Sequence, residues 1–93
     1  MTVSGVTSYT ASGTAGNALA AGTRRYVRIT NEHATQTIAV NWNTTALLNS
    51  TGGSITLSGF NSGNNRIEFK HPPDSPLSIV ASGSNTPVTV EEY

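Results

Sequence analysis

Two neighbouring stretches, Tyr26-Val27-Arg28-Ile29-Thr30 and Thr37-Ile38-Ala39-Val40-Asn41-Trp42, decide how this chain is read. In each, apolar and polar side chains alternate, so every second residue falls on one face of an extended strand. Val27 and Ile29 oppose Arg28 and Thr30; Ile38, Val40 and Trp42 oppose Thr37, Ala39 and Asn41. Working outward, the pattern recurs in Ser54-Ile55-Thr56-Leu57, Arg66-Ile67-Glu68-Phe69-Lys70, Leu77-Ser78-Ile79-Val80 and Val88-Thr89-Val90. Turn clusters rich in Gly, Asn, Ser or Pro separate the runs. Short strands at regular spacing, with no long helical stretch between them, predict an all-β chain. The expected architecture is a single domain over residues 1–93, a small antiparallel β-sandwich or jelly-roll-like barrel of about seven or eight strands.

Composition narrows the functional classes. Charged residues make up only 11% of the chain, against about a quarter in an average soluble domain. Thr, Ser, Asn and Gly take their place. Low hydrophobicity with high net charge would indicate disorder, but here five basic and five acidic residues balance to zero. A neutral chain is poorly suited to gripping nucleic acid, which needs clustered Lys or Arg, and it associates readily with other proteins. There is no cysteine, which excludes disulfides, thiolate metal sites and thiol catalysis. No stretch approaches the ~20 apolar residues of a membrane helix. Met1-Thr2-Val3-Ser4-Gly5 lacks the basic and apolar segments of a signal peptide, so synthesis in the cytoplasm is expected.

Catalytic candidates are few. His33 and His71 are the only histidines, and Glu32, Glu68, Asp74, Glu91 and Glu92 the only carboxylates. Their spacing matches no metal motif, and the chain carries no nucleophile elbow, phosphate loop or dinucleotide fingerprint. No catalytic, metal or cofactor residue is therefore assigned, and the protein is expected not to be an enzyme.

The remaining signals concern contact. Residues 1–20 hold two weak strands, Thr2–Thr10 and Asn17–Ala20, which form either edge strands of the same sandwich or an arm that pairs with a neighbour. Arg24, Arg25 and Arg28 form the one basic cluster, suited to ion pairs with Glu68, Glu91 or Glu92 across strands or subunits. The 43–53 segment carries Leu47 and Leu48, which either cap the sheet or sit at an interface. His71-Pro72-Pro73-Asp74-Ser75-Pro76 is a stiff connection, either a rigid crossover between sheets or a contact surface. The strongest hairpin is expected between Ile29 and Ile38, turning through Asn31-Glu32-His33-Ala34-Thr35-Gln36. Trp42 anchors the core or, alternatively, offers a stacking platform with Tyr9, Tyr26 and Tyr93.

The order of turns adds a resemblance. Ala20-Ala21-Gly22-Thr23-Arg24-Arg25 leads into Val27-Arg28-Ile29-Thr30-Asn31. Thr37-Ile38-Ala39-Val40-Asn41 and Gly52-Gly53-Ser54-Ile55-Thr56-Leu57 follow, then Pro76-Leu77-Ser78-Ile79-Val80-Ala81-Ser82-Gly83 and Val88-Thr89-Val90-Glu91. This series, over roughly residues 19 to 91, resembles small bacteriophage virion structural proteins of the head-decoration, capsid-cement or head-fibre-base kind. The resemblance implies a sandwich located in the virion that associates with itself, often as a trimer, and binds the major capsid protein to stabilise the head. It implies no membrane or nucleic-acid partner. A carbohydrate-binding or tail-associated adhesion module is the alternative.

Overall fold

The computed structural model describes residues 5–49 and 52–93. Thr2–Ser4 of the first expected strand and Ser50–Thr51 of the 43–53 segment lie outside the described residues. Eight strands form where the alternation places them: β1 (Gly5–Ala11), β2 (Gly16–Leu19), β3 (Val27–Asn31), β4 (Ile38–Trp42), β5 (Ile55–Leu57), β6 (Arg66–Phe69), β7 (Leu77–Ala81) and β8 (Thr86–Glu92). One 3-10 turn, Phe60–Ser62, joins β5 to β6.

The strands make two four-stranded sheets, ordered β1-β8-β3-β6 and β2-β7-β4-β5, with antiparallel pairing throughout. Of strands consecutive in sequence, only β4 and β5 pair with each other. Every other connection passes from one sheet to the other, which is the winding of a jelly roll. Residues 5–19 thus supply an edge strand to each sheet, β1 beside β8 and β2 beside β7.

The Asn31–Gln36 turn departs from the expected hairpin. β3 and β4 lie in different sheets, and the turn is an arch between them. Alternation fixes which residues face inward but not which strand is the neighbour. Here a buried side chain decides the path. Asn31 Nδ2 donates to the carbonyls of Gln36 (2.7 Å) and Ser58 (3.1 Å), and Oδ1 accepts from the His33 amide (3.0 Å). One amide thereby ties the arch to the end of β5. The proline-rich 71–76 segment leads from β6 in one sheet to β7 in the other, so it is a crossover between sheets, one of its two expected roles.

The space between the sheets holds Val27, Ile29, Ile38, Val40, Leu57, Leu77, Ile79, Val88 and Val90, with Ala11, Leu19 and Ala81 at its margins. Each large aliphatic group buried here contributes ~1.5–3 kcal/mol of transfer free energy. β7 is buried at all five positions, so both of its faces are covered. Its outward Val80 packs with Ala39 and Ala46, and Ala15 closes on them. Two hydroxyls fasten this cover: Ser78 Oγ accepts the Ala46 amide (3.0 Å) and Ser54 Oγ accepts the Leu47 amide (2.9 Å).

Candidate functional site

The residues singled out from sequence fall into three environments. Arg24 is buried at 6% exposure and works inside the chain. Its Nε donates to Glu92 Oε2 at 3.0 Å. Nη1 donates to the carbonyls of Pro73 and Ser75, both at 3.2 Å, and Nη2 to that of Ala20 at 2.6 Å. The guanidinium also lies over the Trp42 ring, 5.7 Å from its centroid. A rigid planar fork is what this position requires, because four acceptors approach in different directions around one plane. Arg24 therefore joins the 20–24 segment, the 71–76 crossover and the end of β8, and it is withdrawn from the surface where a partner could reach it.

Trp42 sits beneath it. The indole packs edge-on against Phe69, centroids 5.4 Å apart and planes at 86°, and its Nε1 is buried without a hydrogen-bond partner. Trp42 is half-buried and packs against the end of the core, the place expected of a core anchor.

Arg28 and Arg25 behave differently. Arg28 stands on the outer face of the first sheet, directly opposite Glu91 on β8 and Glu68 on β6, and forms an ion pair with Glu91. The Arg28 guanidinium holds the Glu91 carboxyl below its ordinary range, and Glu91 in turn raises the Arg28 pKa. Tyr26 is raised first by burial and then by its hydrogen bond to Glu68, while its ring meets Tyr93 at 5.6 Å. The arginine–glutamate pairing expected across strands is thus present within the chain. Arg25 is exposed, and its amide donates to the Tyr93 carbonyl (2.6 Å).

The two loops divide residue by residue. Ala46 tucks onto the outer face of the second sheet, whereas Leu47 and Leu48 remain 45% and 38% exposed. In the crossover Pro72 is buried while His71, Pro73 and Asp74 are exposed. The Asn43 amide donates to the Pro76 carbonyl (2.9 Å), which brings the starts and ends of these loops together. Between them and the β1–β2 turn lies an open cleft of ≈ 400 Å³ lined by Gly16, Asn17, Asn43, Thr44, Pro76 and Ser78 among others. It carries no charged side chain. Sequence reasoning did not find this cleft, nor the buried role of Asn31, because both arise from segments distant in the chain.

His33 is held in the arch, its Nδ1 accepting the amides of Thr35 (3.1 Å) and Gln36 (2.9 Å), at the opposite end of the sandwich from His71. Among the described residues no group of three His, Asp or Glu side chains gathers to hold a metal.

No protein-family model matches this chain, and no curated protein matches it in sequence. In structure it is similar to part of IMPa from Pseudomonas aeruginosa, solved in complex with an O-glycopeptide. The TM-score is 0.56 at 20% sequence identity, and the match covers 97% of this chain and 12% of that one. At such identity the likeness is one of fold: this chain and one small portion of a much longer protein share a sandwich.

Proposed function

We propose that this protein is a bacteriophage virion structural subunit, a head decoration protein that associates with copies of itself and binds the major capsid protein to stabilise the shell. The observation that carries this reading is where the reactive side chains go. Arg24 and Glu92 are bound up in closing the fold, Arg28 and Glu91 neutralise each other on a strand face, and Asn31 is buried. What remains outside is rich in hydroxyls and amides, with exposed Arg25, Arg66 and Lys70 balanced by Glu32, Glu68 and Asp74 and with scattered apolar groups such as Val6, Leu47 and Phe60, a surface suited to shallow contacts multiplied over many copies. The jelly-roll winding accords with this reading by fold analogy, since viral capsid domains use it, as do lectins. The direct test mixes purified protein with heads lacking it. Regular added density on the head surface, with raised head stability, is expected; absence of binding rejects the reading.

The uncharged cleft favours a second reading, a carbohydrate-binding module, because Asn, Thr and Ser side chains can exchange hydrogen bonds with sugar hydroxyls. Perturbation of Asn43 and Thr44 amide resonances by a glycan would support it over capsid binding.

A further inference from the structure

Each sheet of the sandwich ends in two edge strands, and three of the four edges are protected against pairing with another chain. β5 is only three residues long. The β2 pairing is broken by a register shift between Asn17 and Leu19. β6 carries exposed Arg66 and Glu68, with Lys70 just beyond it. Shortness, irregularity and charge are the devices that keep strand edges from adding a neighbour.

β1 has none of them. It runs seven residues, Gly-Val-Thr-Ser-Tyr-Thr-Ala, without a charge or a proline, and stays in continuous register with β8 from Gly5↔Glu92 to Ala11↔Thr86. Among the described residues, no backbone hydrogen bond outside the strand ladders involves Gly5–Ala11. Val6 at its start is 66% exposed. We propose that this edge pairs, antiparallel and about a two-fold axis at Ser8, with β1 of a second copy, joining two four-stranded sheets into one of eight.

A second copy is the fitting occupant because the strand is complementary to itself. Centring on Ser8 sets Val6 against Thr10 of the partner subunit and Thr7 against Tyr9 of the partner subunit. Inward residues stay inward and outward residues outward in both copies. No like charges meet, and a chain of zero net charge has no long-range repulsion to overcome. The geometry makes dimers. The trimer implied by the phage resemblance would instead need β1 to join a different edge, and those edges are the guarded ones. A seven-residue seam belongs with small, transient interfaces rather than with the ~1,600 Å² of a stable complex, so the dimer forms with rising concentration. This inference rests on the self-association part of the proposed function and is independent of what the assembly binds.

Sedimentation of the full chain over micromolar to millimolar concentration tests it, with Ser8→Lys and Ser8→Glu variants alone and mixed. Ser8 is exposed on the outer face, so both variants should keep the parent's melting temperature. The wild type is expected to pass from monomer to dimer. Each variant alone should weaken dimerisation about fivefold or more, since like charges then face each other, and the equimolar mixture should restore it. A wild type that stays monomeric, variants that dimerise like the parent, or a mixture that does not recover would overturn the pairing. So would a monomer that takes up an extended foreign peptide at this edge. Dimerisation without head binding would reject the decoration role and leave this inference standing; head binding by a strict monomer would do the reverse.

Discussion

Replacing Arg24 with methionine keeps most of the side chain's length and removes its charge and donors. The consequence can be worked out from its surroundings. Glu92, only 13% exposed in its side chain, loses its cation, and the carbonyls of Ala20, Pro73 and Ser75 lose their donor together. Removing one partner of a buried ion pair costs about 3–5 kcal/mol. The lost hydrogen bonds do not add in full to that figure, because the 20–24 and 71–76 segments lie at the surface, where water can reach part of the vacated space. A chain of 93 residues has roughly 5–14 kcal/mol of total stability, so the change removes a large fraction of it. At about 4–8 °C per kcal/mol for a domain of this size, the expected fall in melting temperature is roughly 12–40 °C, followed by circular dichroism and by Trp42 fluorescence in parallel. Arg24→Met with Glu92→Met should be more stable than Arg24→Met alone, since no uncompensated carboxylate remains. A fall of less than about 4 °C, or a double variant weaker than the single, would refute the view of Arg24 as the closing residue of this end of the fold.

Other outcomes follow from the same structure. Glu91 is held below the ordinary carboxylate range by Arg28, so its contribution to stability is complete above about pH 4.5 and is lost as pH falls through the lowered value. Denaturant midpoints should therefore separate wild type from Glu91→Gln at neutral pH and converge in strong acid; a constant separation would contradict this. Gly59→Ala places a Cβ 2.4 Å from the Ala34 carbonyl oxygen and 2.6 Å from the Thr35 amide nitrogen. Backbone cannot move aside there, and a loss of about 1–3 kcal/mol is expected, against less than ~0.5 kcal/mol for Gly13→Ala, whose Cβ would meet nothing within 4 Å. Trp42, half-buried between Phe69 and Arg24, should be only partly accessible to a soluble quencher and should ignore added sugars. A sugar-dependent shift would return it to the role of a binding platform.

Strand positions were legible because alternation is a local property: Val27/Ile29 and Val88/Val90 declare their inward face within five residues of chain. The partners of each strand were not. The Asn31–Gln36 turn reads as a hairpin because its two strands are sequence neighbours, yet a buried amide bonding to residues 26 and 27 positions away makes it an arch. Arg24 shows the same limit. Glu92 is among the partners the sequence offers the arginine cluster, and Arg24 takes it, but nothing local distinguishes buried Arg24 from Arg25 and Arg28, which stand outside. The inward turn of Arg24 depends on carbonyls 49 and 51 residues later. Polar side chains placed by distant acceptors leave no periodic trace.

The same limit explains why the contact surface has to come from the structure. β7 and β8 read alike in sequence, each with polar residues between aliphatic ones. Outward Ser78 and Val80 on β7 are buried under the 43–49 loop, while outward Pro87 on β8 is exposed and Thr89 and Glu91 are only partly covered. The difference is made by a segment thirty residues upstream that folds over one sheet and not the other. The second sheet thus has its outer face covered and both edges interrupted, by brevity at β5 and by a register shift at β2. The first sheet keeps an open outer face and one unprotected edge. If copies of this chain meet by strand addition, the first sheet offers the favourable place, and β1 is the strand whose charge state should govern the meeting.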